Sequence, residues 1–569
     1  MKNRKINNDE HGLHPLSTER RTFIKRLLKT GVSLSLAVAA SSSVHAGNVF
    51  KTTQDYTFDY IIVGAGSAGC VMAYRLTAAG FRVLLLEAGS DNTSSESVSD
   101  SRRWLENIGT ERDWGWSTSE QSVLNNRSLT VPGGRTLGGG GSINAMIWLR
   151  PDKRDLNQLC RQVGHAWTTE ELYEHYNAVE NFGELSPNRS NSGMVTVNRF
   201  AQTNDLTPAS ISAAHELGIE AKEHNGSKYI DGAGVAEVNI TPDGLRSGPA
   251  QTYLAEAIEN PLLEIVTNTL VTKLDLDGGI CRGVEGIVNG QSFNFRAGKE
   301  VIVSAGAVGS PKLLMLSGIG SYEELSNIGL ACKNNLPAVG KHLQDHVLIN
   351  GVTFAAGPHY DDKPTLGNIA TNTFYSSKNH RAAPDIQIMC MQTPFPPGAI
   401  GSENGVSLLP WLAKPKSSGF VALKNSDPTS STIINPGYLK RGDDFVTLRK
   451  ALLLTLELAR TQSFSGFLDT ENSILDNLKG REKLDEFITN NAAPGIHLVG
   501  SCRLGTEARS SVVDPSFRIW GVEGLRVVDA SVLPEVPGVN IQALIMTVAE
   551  KAAATILGDM HFTGPKNNV

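Results

Sequence analysis

Short apolar runs, each bounded by glycine or polar residues, divide the first and last parts of the chain. Tyr60-Ile61-Ile62-Val63, Arg82 to Leu86, Glu300-Val301-Ile302-Val303 and Leu525-Arg526-Val527-Val528 are too short for buried helices and are rich in Val, Ile and Leu. Each predicts a parallel strand covered on both faces. After the first run, Val71, Met72, Leu76 and Ala79 recur at helical spacing up to Gly80, which supplies a C-terminal stop. Leu263 to Leu276 alternates as strands do, and Ala543 to Leu557 is apolar and Ala-rich, which predicts a buried helix. Residues 347–494 differ in texture. Long loops (Ala355 to Pro364, Pro394 to Gly405), strand-like pieces such as Gly419 to Leu423 and the apolar periodicity of Val446 to Leu458 predict an antiparallel sheet with helices on one side.

What stands between the first strand and helix gives the pattern a chemical meaning. Gly64-Ala65-Gly66-Ser67-Ala68-Gly69 is a GxGxxG turn, in which Gly64 allows the tight turn, Gly66 lets backbone approach a pyrophosphate, and Gly69 lets the helix pack on the strand. The helix N-terminus then offers free N–H groups and a positive dipole end to phosphates. The second strand delivers Glu87, followed by Ala88, about 20 residues past the glycines, where a carboxylate usually holds a ribose 2′-hydroxyl. An acid there gives no support to a 2′-phosphorylated cofactor. The last strand ends at Asp529-Ala530, at the mouth of the sheet where α/β folds bind ligands. Gly133 to Arg150 has four glycines in a row, Gly138 to Gly141, followed by the apolar stretch Ala145 to Leu149. Passage of backbone along a flat ligand accounts for that better than a flexible linker.

The chain is therefore expected to be α/β. A Rossmann-like domain with a parallel sheet spans 56–345 and 495–560, and an α+β domain on an antiparallel sheet spans 346–494. A length of 569 residues suits two intertwined domains better than one core. A net charge of −6 gives no reason to expect nucleic acid as a partner. Six scattered cysteines without a CxxC pair suggest neither zinc nor a disulfide framework. The segment 1–46 reads as a signal peptide: basic Ser17 to Lys29 with Arg20-Arg21-Thr22-Phe23-Ile24-Lys25, an apolar run from Gly31 to Ala40, then Val44-His45-Ala46 before a mature start near Gly47. The paired arginines resemble a twin-arginine signal, which implies export, and the apolar run is too short for a permanent membrane span.

Two further stretches carry a family resemblance. Gly134-Arg135, Leu137 through Gly141, Ile143-Asn144, Trp148 and Pro151 match one signature of the glucose-methanol-choline (GMC) flavin oxidoreductases, and Gly306 to Gly320 matches the other. The likeness covers nearly everything after Tyr56. It implies FAD as the dinucleotide, with Glu87 on the adenosine ribose and Val271 contacting the adenine through backbone. It further implies cofactor contacts from Arg135, Gly138, Gly139, Asn144, Ala305, Asp529, Ala530, Asn540, Ile541 and Gln542. Members that attach FAD covalently carry a histidine where this chain has Ile143, so non-covalent FAD is expected.

By the same resemblance His497, in Gly495-Ile496-His497-Leu498-Val499-Gly500-Ser501, matches the active-site histidine of an HPxGT-type run, with Leu498 and Ser501 replacing the usual Pro and Thr. Asn540 matches the second active-site position. Oxidising an alcohol removes a hydride from carbon and a proton from oxygen. A neutral imidazole suits the proton, and Asn can hold the same oxygen. His342 and His346 have the i, i+4 spacing of a metal pair on a helix but no third ligand, so they are given a structural role and no metal is expected. The expected activity is oxidation of the CH–OH group of a small-molecule alcohol, with O₂, a quinone or a cytochrome reoxidising the flavin. A non-redox or photochemical relative such as a lyase or decarboxylase, and a non-catalytic flavin binder, are the alternatives.

Overall fold

Strand β1 (Phe58–Val63), helix α1 (Ser67–Ala78) and strand β2 (Val83–Leu86) form in the order the apolar pattern predicts. The computed structural model describes residues 58–561 apart from 185, 187, 201–203, 361–363, 380, 402–403 and 472. The signal-peptide reading, with Arg20, Arg21 and Gly47, lies outside the described residues. β1 and β2 are parallel, with Tyr60 beside Val83 and Val63 beside Leu86, and every residue of β2 is buried.

The parallel sheet grows in both directions from β1. On one side β2 pairs with β3 (Leu263–Val266), so the alternation over Leu263 to Leu276 is two strands rather than one. Asn268, at φ +53°, turns the chain between β3 and β4 (Thr269–Asp277), a conformation that Asn tolerates because its short side chain bonds locally. β4, β5 (Ile280–Val288) and the first half of β6 (Gln291–Val303) make an antiparallel ribbon. β6 then changes partner and runs parallel to β1, with Val301 beside Ile61 and Val303 beside Val63. Its burial follows: mixed exposure in the ribbon, then three consecutive buried residues, Val301 to Val303, inside the sheet. Helix α2 (Gly306–Leu316) follows at once.

The second sheet is antiparallel. It contains β7 (Val347–Ile349), β8 (Thr353–Ala356), β9 (Ile369–Tyr375), β10 (Ile386–Met391) and β11 (Gly405–Leu412). β8, β11, β10 and β9 are neighbours in that order, and Gly232–Val235, from much earlier in the chain, pairs beyond β9. β10 and β11 are buried throughout because both of their faces are covered. Ile386, Ile388, Cys390 and Leu408 face Leu448, Leu452 and Leu456 of α3 (Gly442–Leu458), while Met389, Met391, Leu409 and Trp411 pack with Val539 and Ile147 on the other side. That two-residue alternation is what a pleated strand imposes.

After β12 (Ala492–Pro494), which pairs with β7, the chain returns to the first sheet. β13 (Leu525–Val527) joins β6 in parallel, and α4 (Gln542–His561) packs on α1. Among the described residues no helix is long and apolar enough to cross a membrane.

A polar tie centred on Glu550 crosses the α1–α4 contact. Arg75 Nε and Nη2 donate to the two oxygens of Glu550 at 2.7 and 2.9 Å, and the buried Tyr253 hydroxyl donates to Glu550 as well. Glu550 is 5% exposed while Arg75 is 32% exposed, so removing the acid strands a buried hydroxyl and a partly wetted cation. Glu550→Ala is expected to cost about 2 kcal/mol of stability. Thermal unfolding checks this, and an unchanged midpoint would contradict it.

Candidate active site

Where β1 ends, two glycine loops meet backbone to backbone. Gly138 N–H donates to Ala65 O at 2.7 Å, and a Cβ on Gly139 (φ +53°) would lie 2.7 Å from Gly66 Cα. A Cβ on Gly69 would lie 2.0 Å from Gly64 O, so only glycine lets α1 start so close to the strand. Gly66 is different: a Cβ there would meet nothing nearer than Ser304 O at 3.9 Å, which leaves an open side above the turn. Ser67 Oγ donates to Gln542 Oε1 at 3.1 Å, which brings the start of α4 to the same place. Asn540 and Ile541 immediately precede it, both largely buried.

The predicted cofactor residues from other strands gather at this end of the sheet. Glu87, buried at the tip of β2, accepts Ala65 N–H and Gly89 N–H, each at 2.9 Å. Burial pushes its carboxyl up to about 7, against the pull of those N–H groups and of Arg135. A carboxylate has lone pairs beyond those two bonds, so a ribose hydroxyl still has acceptors there. Ala88 is half-buried, and a Cβ on Gly89 would lie 1.9 Å from Arg135 O, so the Arg135 backbone abuts the end of β2. The Arg135 side chain is exposed, with its guanidinium 5.0 Å over the Trp114 ring. Val271 lies half-buried in β4.

Ala305 and Ala530 are half-buried at the ends of β6 and β13, and Asp529 is buried between them. Asp529 accepts from Gly306 N–H at 2.9 Å, Ser531 N–H at 2.7 Å and the Ser310 hydroxyl. Burial raises its carboxyl despite those donors. Asp529 thus braces the start of α2 and keeps acceptor capacity on Oδ1, which takes only the Ser531 N–H.

Sequence reasoning missed Arg246. It is 1% exposed, and its Nη1 donates to Asn144 Oδ1 at 2.7 Å, Asn144 O at 2.9 Å and Gly141 O at 3.2 Å, while Nε donates to Val98 O at 2.9 Å. Asn144 is therefore held by Arg246 rather than standing free. Burial drops the Arg246 guanidinium to about 9, and its Nη2 has no partner. The signal in the sequence was slight, a lone arginine between Gly244 and Gly248.

A second cluster lies between the two sheets. His497, in the turn after β12, has its Nε2 3.3 Å from Asn540 Nδ2, and Gln387 Nε2 reaches Asn540 Oδ1 at 3.4 Å. His497 Nδ1 is 2.8 Å from His346 Nδ1, and the Trp411 ring stacks on His497 with centroids 5.7 Å apart. Burial, then the neighbouring His346, holds the His497 imidazole well below its ordinary pKa, so it is neutral at pH 7. Asp345 grips the backbone beneath it, accepting His497 N–H at 2.6 Å, Ile496 N–H at 3.2 Å and the Tyr438 hydroxyl at 2.6 Å. Ile496 sits at φ +61°, strained for a β-branched residue, with 47% of its surface exposed beside the imidazole.

His342 and His346 do not share a helical face. Lys341–Leu343 is a strand, His342 lies at φ +61°, and only His346 reaches His497. The spacing that suggested a helical pair is broken by pairing of that strand with Gly419–Leu423.

The two clusters divide the chemistry. The crossed glycine loops with their open side, the buried Glu87 and the unmatched Arg246 Nη2 fit the diphosphate and ribose of FAD. In the His497–Asn540 pair a ring nitrogen and an amide N–H group meet at 3.3 Å.

Models of the N- and C-terminal parts of the GMC oxidoreductases match residues 58–348 and 415–549. The oxygen-dependent choline dehydrogenase of Brucella anthropi is 31% identical over 529 residues, 88% of this chain and 95% of that one. That of Sinorhizobium medicae is 32% identical over 532 residues, with the same coverage. The crystal structure of pyridoxine 4-oxidase from Mesorbium loti covers 90% of this chain and 100% of its own, with a TM-score of 0.82 and 28% identity. An Aspergillus oryzae formate oxidase shares the fold, with a TM-score of 0.81 at 23% identity over 90% of this chain and 100% of its own. The chain belongs to the GMC oxidoreductase family and is an FAD-dependent oxidoreductase of the CH–OH group of alcohols.

Proposed function

We propose that His497 is the base that takes the hydroxyl proton of a small alcohol, and that Asn540 holds the same oxygen by donating from Nδ2. The observation that carries this is the 3.3 Å approach of Asn540 Nδ2 to His497 Nε2 on a neutral imidazole. A hydroxyl entering there finds an acceptor for its proton and a donor for its oxygen, and burial of Asn540 excludes competing water. FAD, when bound, supplies the acceptor for the hydride leaving the carbinol carbon. Residues 56–345 and 495–560 serve the cofactor. Residues 346–494 serve the substrate, and Met389, Met391 and Phe395 supply an apolar wall with Trp411. That wall suits a substrate with an apolar or aromatic flank, and the electron acceptor is O₂, a quinone or a cytochrome.

FAD is held without a covalent link, because Ile143 stands where covalently flavinylated members have histidine. The chain acts outside the cytoplasm, in the bacterial periplasm, after export by the twin-arginine route. Arg20-Arg21 and the short apolar run behind it support that reading.

Three outcomes are expected. His497→Ala keeps its yellow flavin but loses anaerobic flavin reduction by about 10²-fold or more. Asn540→Ala loses less, and the two losses do not add because both residues act on one oxygen. Reduction of His497→Ala at the parent rate would place the base elsewhere. Acid or heat denaturation releases soluble flavin that runs as FAD, whereas flavin retained on the precipitated chain would refute the role given to Ile143. Changing Arg20 and Arg21 together to Lys leaves precursor inside the cell, and normal export of that variant would rule out the twin-arginine route.

A further inference from the structure

We propose that His346 is a positioning residue that decides which nitrogen of His497 carries the proton, keeping Nε2 unprotonated where the substrate hydroxyl is received. This rests on the reading of His497 as the base and goes one step behind it. Two groups beside His346 can only accept. His346 Nε2 lies 2.9 Å from Ala413 O and 2.8 Å from Pro537 O, and carbonyl oxygens offer no proton. His346 Nε2 is therefore an N–H shared between two carbonyls. Its ring is buried at 0% exposure against Trp411, and burial keeps it neutral. A neutral imidazole carries one ring proton, so His346 Nδ1 is bare.

That bare nitrogen faces His497 Nδ1 at 2.8 Å. Two lone pairs at that distance repel, so the proton between them sits on His497 Nδ1. Neutral His497 then has no proton on Nε2, the nitrogen that faces Asn540 Nδ2.

A chain of amides on the other side fits the same result. Gln387 Nε2 donates to Asn372 Oδ1 at 2.8 Å and to Asn540 Oδ1 at 3.4 Å. With its oxygen taken by a donor, the Asn540 amide turns its own N–H group toward His497, which requires an acceptor at Nε2. The tautomer is set by the chain that starts at the backbone carbonyls, and the amides are arranged to match it. When His497 takes a proton from the substrate, the bare His346 Nδ1 continues to accept from Nδ1–H, so the imidazolium forms with that bond intact. No second proton transfer is needed.

The test reads the tautomer directly. In the FAD-loaded enzyme labelled with ¹⁵N-histidine, the signals that disappear in His497→Ala are expected to show a protonated Nδ1 and a lone-pair Nε2. A protonated Nε2 with a bare Nδ1 in the parent overturns the proposal. His346→Leu, which removes the acceptor, is expected to shift His497 toward the other tautomer and lower flavin reduction by about 10²-fold or more, as wrong-tautomer variants do elsewhere. His346→Asn, which returns an acceptor oxygen near the Nδ1 position, is expected to recover most of that loss. A His346→Leu enzyme with the parent tautomer and rate also overturns it. The tautomer measured in the parent does not depend on how these variants fold. Parent-like reduction in His497→Ala would remove the base assignment while leaving the tautomer result intact.

Discussion

Everything in this molecule is arranged around a place where two peptide backbones touch. Gly138 N–H on Ala65 O, with Gly139 against Gly66, leaves no volume for a side chain between the first strand's turn and the loop that crosses it. The crossing fixes the height of the second loop above the sheet. That height in turn decides where Asn144 and Arg246 lie, because Arg246 binds the carbonyls of Gly141 and Asn144 that the crossing has positioned. Close-packed backbone has few ways to yield, so a flat ligand meets a rigid floor.

Burial sets the electrostatics and hydrogen bonds trim it. Glu87 and Asp345 are each pushed up to about 7 by loss of water, even though backbone N–H groups pull the other way. A hydrogen bond to a charged group is worth about 1.5–3 kcal/mol, so two or three of them bring a buried carboxylate near balance rather than far below it. The imidazoles of His346 and His497 follow the same rule with opposite sign, since burial favours their uncharged forms. One mechanism thus raises both carboxyls and keeps both imidazoles neutral.

The parts of this design that repeat along the chain were legible in the sequence. β1, α1 and β2 were set by a two-sided apolar run, a helical period and glycines at fixed offsets, all local signals. The antiparallel character of the second sheet followed from the same reasoning, though not the arrival of Gly232–Val235 at its edge. The ribbon half of β6 escaped because an alternating, half-exposed strand runs straight into a fully buried one and only the buried part stands out. His346 was given a structural role without its partner for a related reason. Its partner is 151 residues away, and nothing local distinguishes a buried histidine that props another ring from one that fills space. Arg246 was silent too, since its acceptors are backbone carbonyls, which every sequence has.

The position of β13 in the sheet has a consequence for biosynthesis. It is the last strand added, beside β6, and it carries Asp529 to the ends of the strands, while Asn540 and α4 follow it. During synthesis the glycine turn emerges before the strand and helix opposite it, so the cradle closes only once β13 and α4 have joined the first sheet.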